Sequence, residues 1–260
     1  MSDADADLLY DRRGPVAVIT FNRPEARNAM TFAMYERLHE HCEEVDADDG
    51  IRVLVLRGAG GKAFVAGTDI RQFLEFGTGE VGVGYEHDID RYVGRLERVT
   101  KPTVAVVEGY AVGSGIAISS ACDLRVCTPE AKFGLPIART LGNCLSMAGY
   151  ARLVALLGEA RTKDIVFTAR MVGADEALAA GLATAVVAPE ALEQHVDELC
   201  ERLASHAPIT MKVTKEAIRR IREATLPDGR DLIAEAYGSE DFRRGVAAFL
   251  DKRPATWTGS

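Results

Sequence analysis

The sequence predicts an α/β fold built on buried parallel strands, followed by a helical C-terminal region. Three observations carry this. Short β-branched runs alternate with helical patterns up to about residue 190, as expected where helices cross over between strands. The run 51–57 (IRVLVLR) is almost continuously apolar, which fits a strand covered on both faces. Beyond Pro189 only helical spacing remains, over 189–205, 209–223 and 229–252. These patterns place a boundary near residue 200, with a core over 1–200 and a helical region over 201–260. The run Ala234, Tyr237, Phe242, Val246, Phe249 and Leu250 is more apolar than one short tail would bury, so the helical region is expected to assemble subunits.

Taken in order, residues 16–21 (VAVITF) read as the first strand, broken by Asn22-Arg23-Pro24-Glu25. Phe32, Tyr35, Leu38, Cys42 and Val45 recur at spacings of three and four. They define an amphipathic helix over 31–45, with Thr31 as its N-cap. A polar turn at 46–50 leads into the strand 51–57, and the glycines between Gly58 and Gly61 form a loop. Residues 76–86 (FGTGEVGVGYE) hold four glycines and little periodicity, so they read as a mobile segment. A helix follows, with Ile89, Tyr92, Val93, Leu96 and Val99 on its apolar face and Pro102 at its end. Residues 103–107 form the next buried strand, 116–122 a short helix and 124–127 another strand.

Composition narrows the function classes. The chain has 260 residues, 47% hydrophobic and 27% charged, values that exclude a disordered or collagenous chain. Its net charge is -8, and no basic stripe offers a footprint for nucleic acid. The five cysteines form no C-x-x-C pair and the five histidines no ligand constellation, so no metal site is expected and the thiols read as buried small hydrophobes. The acidic N-terminal stretch lacks the pattern of a secretory leader, and no run approaches the ~20 apolar residues of a membrane span. The expectation is a cytoplasmic protein with no membrane or nucleic-acid partner.

Two glycine-bearing turns carry chemistry. Residues 62–70 (KAFVAGTDI) follow a strand, and residues 108–116 (EGYAVGSGI) follow another and open a helix. A chain passing from strand to helix N-terminus presents free backbone N–H groups, which stabilise a phosphate, carboxylate or oxyanion. The second turn reads G-x-x-x-G-x-G and lies mid-chain, which excludes a dinucleotide fingerprint.

The ordered motifs resemble the crotonase superfamily, also called the enoyl-CoA hydratase/isomerase family. Residues 22–30 (NRPEARNAM) are similar to its N-terminal signature, and 63–70 (AFVAGTDI) to its first oxyanion loop. Residues 109–115 (GYAVGSG) with 121–124 (ACDL) are similar to its second. Residues 131–136 (AKFGLP), then Leu141-Gly142, and residues 174–182 (ADEALAAGL) fit the segments that follow. The resemblance implies a spiral of ββα units, a helical C-terminal region and homotrimers that often pair into hexamers. It implies an acyl-CoA thioester as substrate, with no cofactor beyond the CoA the substrate carries. By position, the backbone N–H groups of Thr68 and Ser114 would hold the thioester oxygen. Arg27, Ala29, Ala66, Asp69, Ile70 and Lys252 fall at substrate- or CoA-contacting positions.

The sequence departs from the family at its acid–base positions. The two glutamates of the hydratases fall here on Ala117 and Ile137, and neither side chain moves a proton. Asn143, Cys144 and Ser146 are the polar groups on the segment that faces the acyl end in the family; each also reads as a cap or core residue. Asp69 reads foremost as an N-cap. Tyr85, His87 and Asp88 either close over the pocket or form a solvated loop. The sequence therefore points to an acyl-CoA enzyme of the hydratase/isomerase family, a lyase or isomerase of fatty-acid-type thioesters, that stabilises a thioester enolate. Thr68 and Ser114 form the hole, and Ser146 and Asn143 are further candidates. Decarboxylation of a malonyl-type acyl-CoA, thioester hydrolysis and a non-catalytic CoA-binding scaffold stand as alternatives.

Overall fold

The chain folds by feeding two sheets alternately. The computed structural model describes residues 6–260; residues 1–5, at the start of the stretch read as carrying no leader, lie outside them. In the larger sheet, β1 (Leu8–Arg13) pairs antiparallel with β2 (Val16–Phe21). From β2 the sheet continues in parallel through β3 (Val53–Gly58), β5 (Thr103–Val107), β7 (Leu124–Cys127) and β10 (Ala185–Val186). In the smaller sheet β4 (Ala63–Val65), β6 (Tyr110–Val112) and β8 (Lys132–Gly134) run parallel, and β9 (Met171–Gly173) pairs antiparallel with β8. After α1 (Phe32–Ala47), the chain repeats one unit. A large-sheet strand leads to a small-sheet strand and then to a helix: β3–β4–α2 (Gly79–Glu97), β5–β6–α3 (Ser114–Ala121), β7–β8–α4 (Ile137–Thr140). The C-terminal ends of β4, β6 and β8 therefore lie side by side.

The strands at 16–21, 103–107 and 124–127 form as their β-branched patterns predict. Along β3, Leu54 and Leu56 point into the main core while Val53 and Val55 pack with Val104, Val106 and Val126 on the opposite face. That second face is covered by Leu192, Val196 and Cys200 of a helix at Leu192–Ser205, which explains why the strand shows no alternation. Thr31 caps α1, its hydroxyl accepting from the Met34 N–H at 3.2 Å. Four of the five cysteines are buried, and Cys144 is half-buried. No helix among the described residues is long and apolar enough to cross a membrane.

The apolar C-terminal run is buried in part by the chain itself. Helices α10 (Arg230–Gly238) and α11 (Glu240–Leu250), separated by the cap Ser239, bury Tyr237, Phe242 and Val246 with Phe73, Leu141 and Ile233. Leu250 packs against this second core, while Phe249 stays 49% exposed. Further exposed apolar residues sit on α9 (Pro208–Glu223), which buries none of its residues and exposes Ile209, Val213, Ile218 and Ile221.

The glycine-rich stretch 76–86 is not a loop beyond Thr78. Helix α2 begins at Gly79, and two of its glycines are where α10 approaches. A Cβ on Gly79 would lie 2.2 Å from the Ala234 carbonyl oxygen, and one on Gly82 would lie 2.2 Å from the Tyr237 Cβ. Absence of a side chain lets the two helices touch, a tertiary requirement that overrides glycine's poor helix propensity. Gly79, Gly82 and Glu86 are spaced by three and four and so share one face. A methyl group at 82 meets the root of a buried ring, which cannot swing aside. Gly82→Ala is expected to lower stability by about 1–3 kcal/mol, as overpacking does. Gly84→Ala, with nothing within 4 Å of the new Cβ, is expected to raise it by about 0.5–1 kcal/mol. Urea unfolding of both variants checks the contrast.

Candidate active site

The side-by-side strand ends create the site. Past β4, the Met30 N–H donates to the Gly67 carbonyl (2.9 Å) and the Asp69 N–H donates to the Met30 carbonyl (2.8 Å). Thr68 lies between these two bonds in a parallel bridge to Met30, so its own N–H turns away from Met30. Past β6, Gly113 caps α3 with φ 58° and ψ -115°, a conformation open to glycine and strained for other residues. Ser114 is the first helical residue, and its N–H has no partner within the helix. Both loops open on one cavity of about 140 Å³, walled at the end of β8 by Leu135, Pro136 and Ile137.

Four hydroxyls meet beside these N–H groups. The Thr68 Oγ1 is 2.7 Å from the Ser114 Oγ, 2.9 Å from the Tyr35 Oη and 3.0 Å from the Tyr85 Oη. The Tyr35 hydroxyl donates to the Ser114 Oγ at 2.5 Å. Burial pushes Tyr35 up to about 12 and Tyr85 well above the ordinary tyrosine value, so both remain neutral donors at ordinary pH. The cavity also receives Glu86, only 4% exposed. Its Oε1 accepts from the Tyr237 hydroxyl, and its Oε2 accepts from the Ser146 N–H at 3.0 Å. Burial, opposed by those two hydrogen bonds and reinforced by Asp90, raises its pKa from 4.5 to about 7.

Comparison with known proteins is decisive on kinship. Residues 11–260 match the family described as Enoyl-CoA hydratase/isomerase. The chain belongs to the enoyl-CoA hydratase/isomerase family. It is 35% identical over 253 residues to the short-chain-enoyl-CoA hydratase of Clostridium acetobutylicum, covering 95% of each chain. An enoyl-CoA hydratase/carnithine racemase from Magnetospirillum magneticum is 31% identical with a TM-score of 0.79, covering 98% of this chain and 96% of that one. Methylmalonyl-CoA decarboxylase in complex with 2-nitronate-propionyl-CoA is 27% identical with a TM-score of 0.89, covering 97% of this chain and 98% of that one. The α/β crotonase fold, with its ββα units and C-terminal helices, is thus shared with solved members of the family.

In this enoyl-CoA hydratase/isomerase family member, the sequence-predicted residues fall into two groups. Ala66, Thr68, Ile70, Ser114, Ala117, Ile137 and Asn143 all line the cavity. The others lie elsewhere. Ser146 caps the helix Met147–Leu157, accepting from the Gly149 N–H, and donates to Asp90 Oδ1 at 2.6 Å. Asp69 caps the short helical turn Ile70–Phe73, and the Arg71 guanidinium, with Arg23 behind it, holds its carboxyl down at about 2. Arg27 is exposed with its guanidinium 5.7 Å from the Tyr110 ring centre. Ala29 is half-buried and its carbonyl accepts from Arg23 at 2.7 Å. Lys252 is exposed just past α11. Of the α2 candidates only Tyr85 lines the cavity, while His87 and Asp88 point outward with side chains 80% and 55% exposed. Among the described residues, no group of three His, Cys, Asp or Glu side chains is placed to hold a metal ion.

Glu86 is the residue that sequence reasoning passed over. Its signal was present: it continues the Gly79/Gly82 stripe and lies three residues before Ile89. Reading 76–86 as a loop hid that periodicity. Its burial has a stability consequence. Between pH 4.5 and about 7 the folded chain keeps a proton that the unfolded chain has released, so this contribution to stability falls as pH rises through the window and levels off above it. Glu86→Gln removes the titration. The variant is expected to gain on the wild type by about 3 kcal/mol between pH 4.5 and about 8, read by urea unfolding across that range.

Proposed function

We propose that the protein is an acyl-CoA enzyme that polarises a thioester carbonyl between the Thr68 and Ser114 N–H groups and stabilises the resulting enolate. One observation carries the reading: two strand-end N–H groups, both free of the sheet and helix ladders, belong to residues whose hydroxyls are 2.7 Å apart at one cavity. An enolate puts negative charge on the thioester oxygen, and fixed N–H dipoles stabilise it without reorganising. Kinship with hydratases supports the substrate class. It does not extend to hydration by a glutamate pair, because Ala117 and Ile137 occupy those positions by the family resemblance and wall the cavity with apolar surface.

Decarboxylation of a malonyl-type acyl-CoA is favoured as a second reading by that apolar wall and by the likeness to methylmalonyl-CoA decarboxylase. In such a step the C–C bond to the carboxylate breaks, carbon dioxide leaves, and the electron pair passes to the enolate held in the hole. The step needs the hole, and a carboxylate held away from water is less stabilised.

Ser114 allows a test of the hole that spares the fold. Proline is well accommodated at the first helical position; it puts its ring Cδ in place of the N–H and also lacks the serine hydroxyl, which the alanine variant controls for. Ser114→Pro is expected to lower turnover by about 10²–10³-fold, the usual effect of losing one oxyanion donor. Ser114→Ala, which keeps the N–H, is expected to remain near the wild type. The readouts are carbon dioxide release from methylmalonyl-CoA, hydration of crotonyl-CoA and α-deuteration of butyryl-CoA in D₂O, each followed by mass. Equal rates for the two variants would remove the backbone hole from the mechanism.

We further propose that copies of the chain associate as a trimer or hexamer through α9. Ion pairs of Lys215 with Asp123 and Arg222 with Glu97, both 2.6 Å, hold this helix to the core, while Ile209, Val213, Ile218 and Ile221 remain exposed on it. A second copy is the natural cover for such a face. Light scattering at micromolar concentration is expected to find three or six subunits, and Ile218→Asp with Ile221→Asp to lower that number; a stable wild-type monomer would contradict it.

A further inference from the structure

Resting on the enolate reading, the geometry points to Glu86 as the group that exchanges a proton with the substrate's α-carbon in this cavity. Four observations converge on it. Glu86 is buried and lines the cavity that Thr68 and Ser114 open into. The wall positions Ala117 and Ile137 offer no proton-transferring group. The nearby carboxylate Asp90 is occupied by the Ser146 hydroxyl at 2.6 Å. Each oxygen of Glu86 is held by one hydrogen bond, which fixes the carboxylate and leaves it further lone pairs.

The surrounding network accepts either protonation state. The Asn143 Nδ2 donates to the Tyr237 Oη at 3.2 Å, and the Tyr237 hydroxyl donates to Glu86. The Asn143 Oδ1 is buried with no hydrogen-bond partner. Turning that amide over brings Oδ1 to the Tyr237 hydroxyl. Tyr237 then donates to Asn143 and its oxygen accepts from a protonated Glu86. An orphaned buried acceptor costs free energy, and here it is the acceptor that the protonated state requires. The titratable groups that face Glu86 are Tyr237 from α10, Asp90 and Tyr85 from α2, Tyr35 from α1, and Cys144 and Tyr150 near the start of the helix Met147–Leu157. With neighbours that are neutral at ordinary pH apart from Asp90, the carboxyl titrates close to neutrality, where both forms are populated.

The step balances without a co-reactant. The Cα–H bond breaks and an O–H bond forms on Glu86. The C–H electron pair becomes the enolate double bond, with the charge on the thioester oxygen between the Thr68 and Ser114 N–H groups. Return of a solvent-exchanged proton from Glu86 restores the thioester.

The experiment is α-deuteration of butyryl-CoA in D₂O by the full chain, followed by mass, with calorimetric binding of butyryl-CoA alongside. Glu86→Gln is expected to lower exchange by at least about 10²-fold with binding within a few-fold of wild type. Glu86→Asp is expected to retain part of the exchange. Wild-type exchange should rise with pH as Glu86 ionises. Tyr237→Phe removes a donor to the carboxylate and should move that rise to higher pH, a shift that a merely structural role would not produce. Exchange by Glu86→Gln at the wild-type rate, with Ser114→Pro still inactive, would overturn the assignment of Glu86 and leave the enolate reading standing. Absence of exchange from a wild type that binds the thioester would overturn both.

Discussion

Helices α2 and α10 touch where one has no side chain, and the polar end of the cavity depends on that contact. Gly79 and Gly82 let the Ala234 carbonyl and the Tyr237 ring come against the α2 backbone. The approach seals Glu86 from solvent on the same helical face, and it delivers the Tyr237 hydroxyl to the carboxylate. A larger residue at either glycine would push α10 outward. The second core of Phe73, Leu141, Ile233, Tyr237, Phe242 and Val246 rests on the same contact, so the helical region closes the site as part of the packing that stabilises the chain.

The other end of the cavity comes from repetition. Three ββα units deliver three strand ends to one place, and each unit adds something different there. The first adds Thr68, the second adds Ser114 at a helix N-terminus, and the third adds the apolar wall at Ile137. Backbone dipoles and apolar surface thus come from the strand ends and the turns after them, while the titratable group comes from α2, the helix of the first unit. Burial keeps the Glu86 carboxyl partly protonated near neutral pH.

Much of the fold was legible in the sequence. The strands at 16–21, 103–107 and 124–127, the capped helix after Thr31 and the helices beyond Pro189 follow local rules of side-chain shape and periodicity. These rules act over a few residues and survive in any tertiary context that buries the same face. Reading failed at 76–86, where four glycines suggested a loop, because a glycine that permits close helix packing looks the same in sequence as one that permits flexibility. The apolar run from Ala234 to Leu250 shows a different limit. Its residues need burial, but hydrophobicity does not say whether a partner subunit or the chain itself supplies it.

The sequence by itself determined the α/β class, the family resemblance and the two loops carrying Thr68 and Ser114, because each rests on contiguous residues in a recognisable order. Only the tertiary structure decided that Glu86 enters the cavity while His87 and Asp88 face solvent, that Ser146 caps a helix, and that Tyr35, Tyr85 and Tyr237 join the site. Those side chains come from separate elements, and burial, which sets the charge state of Glu86, arises only when the elements pack together.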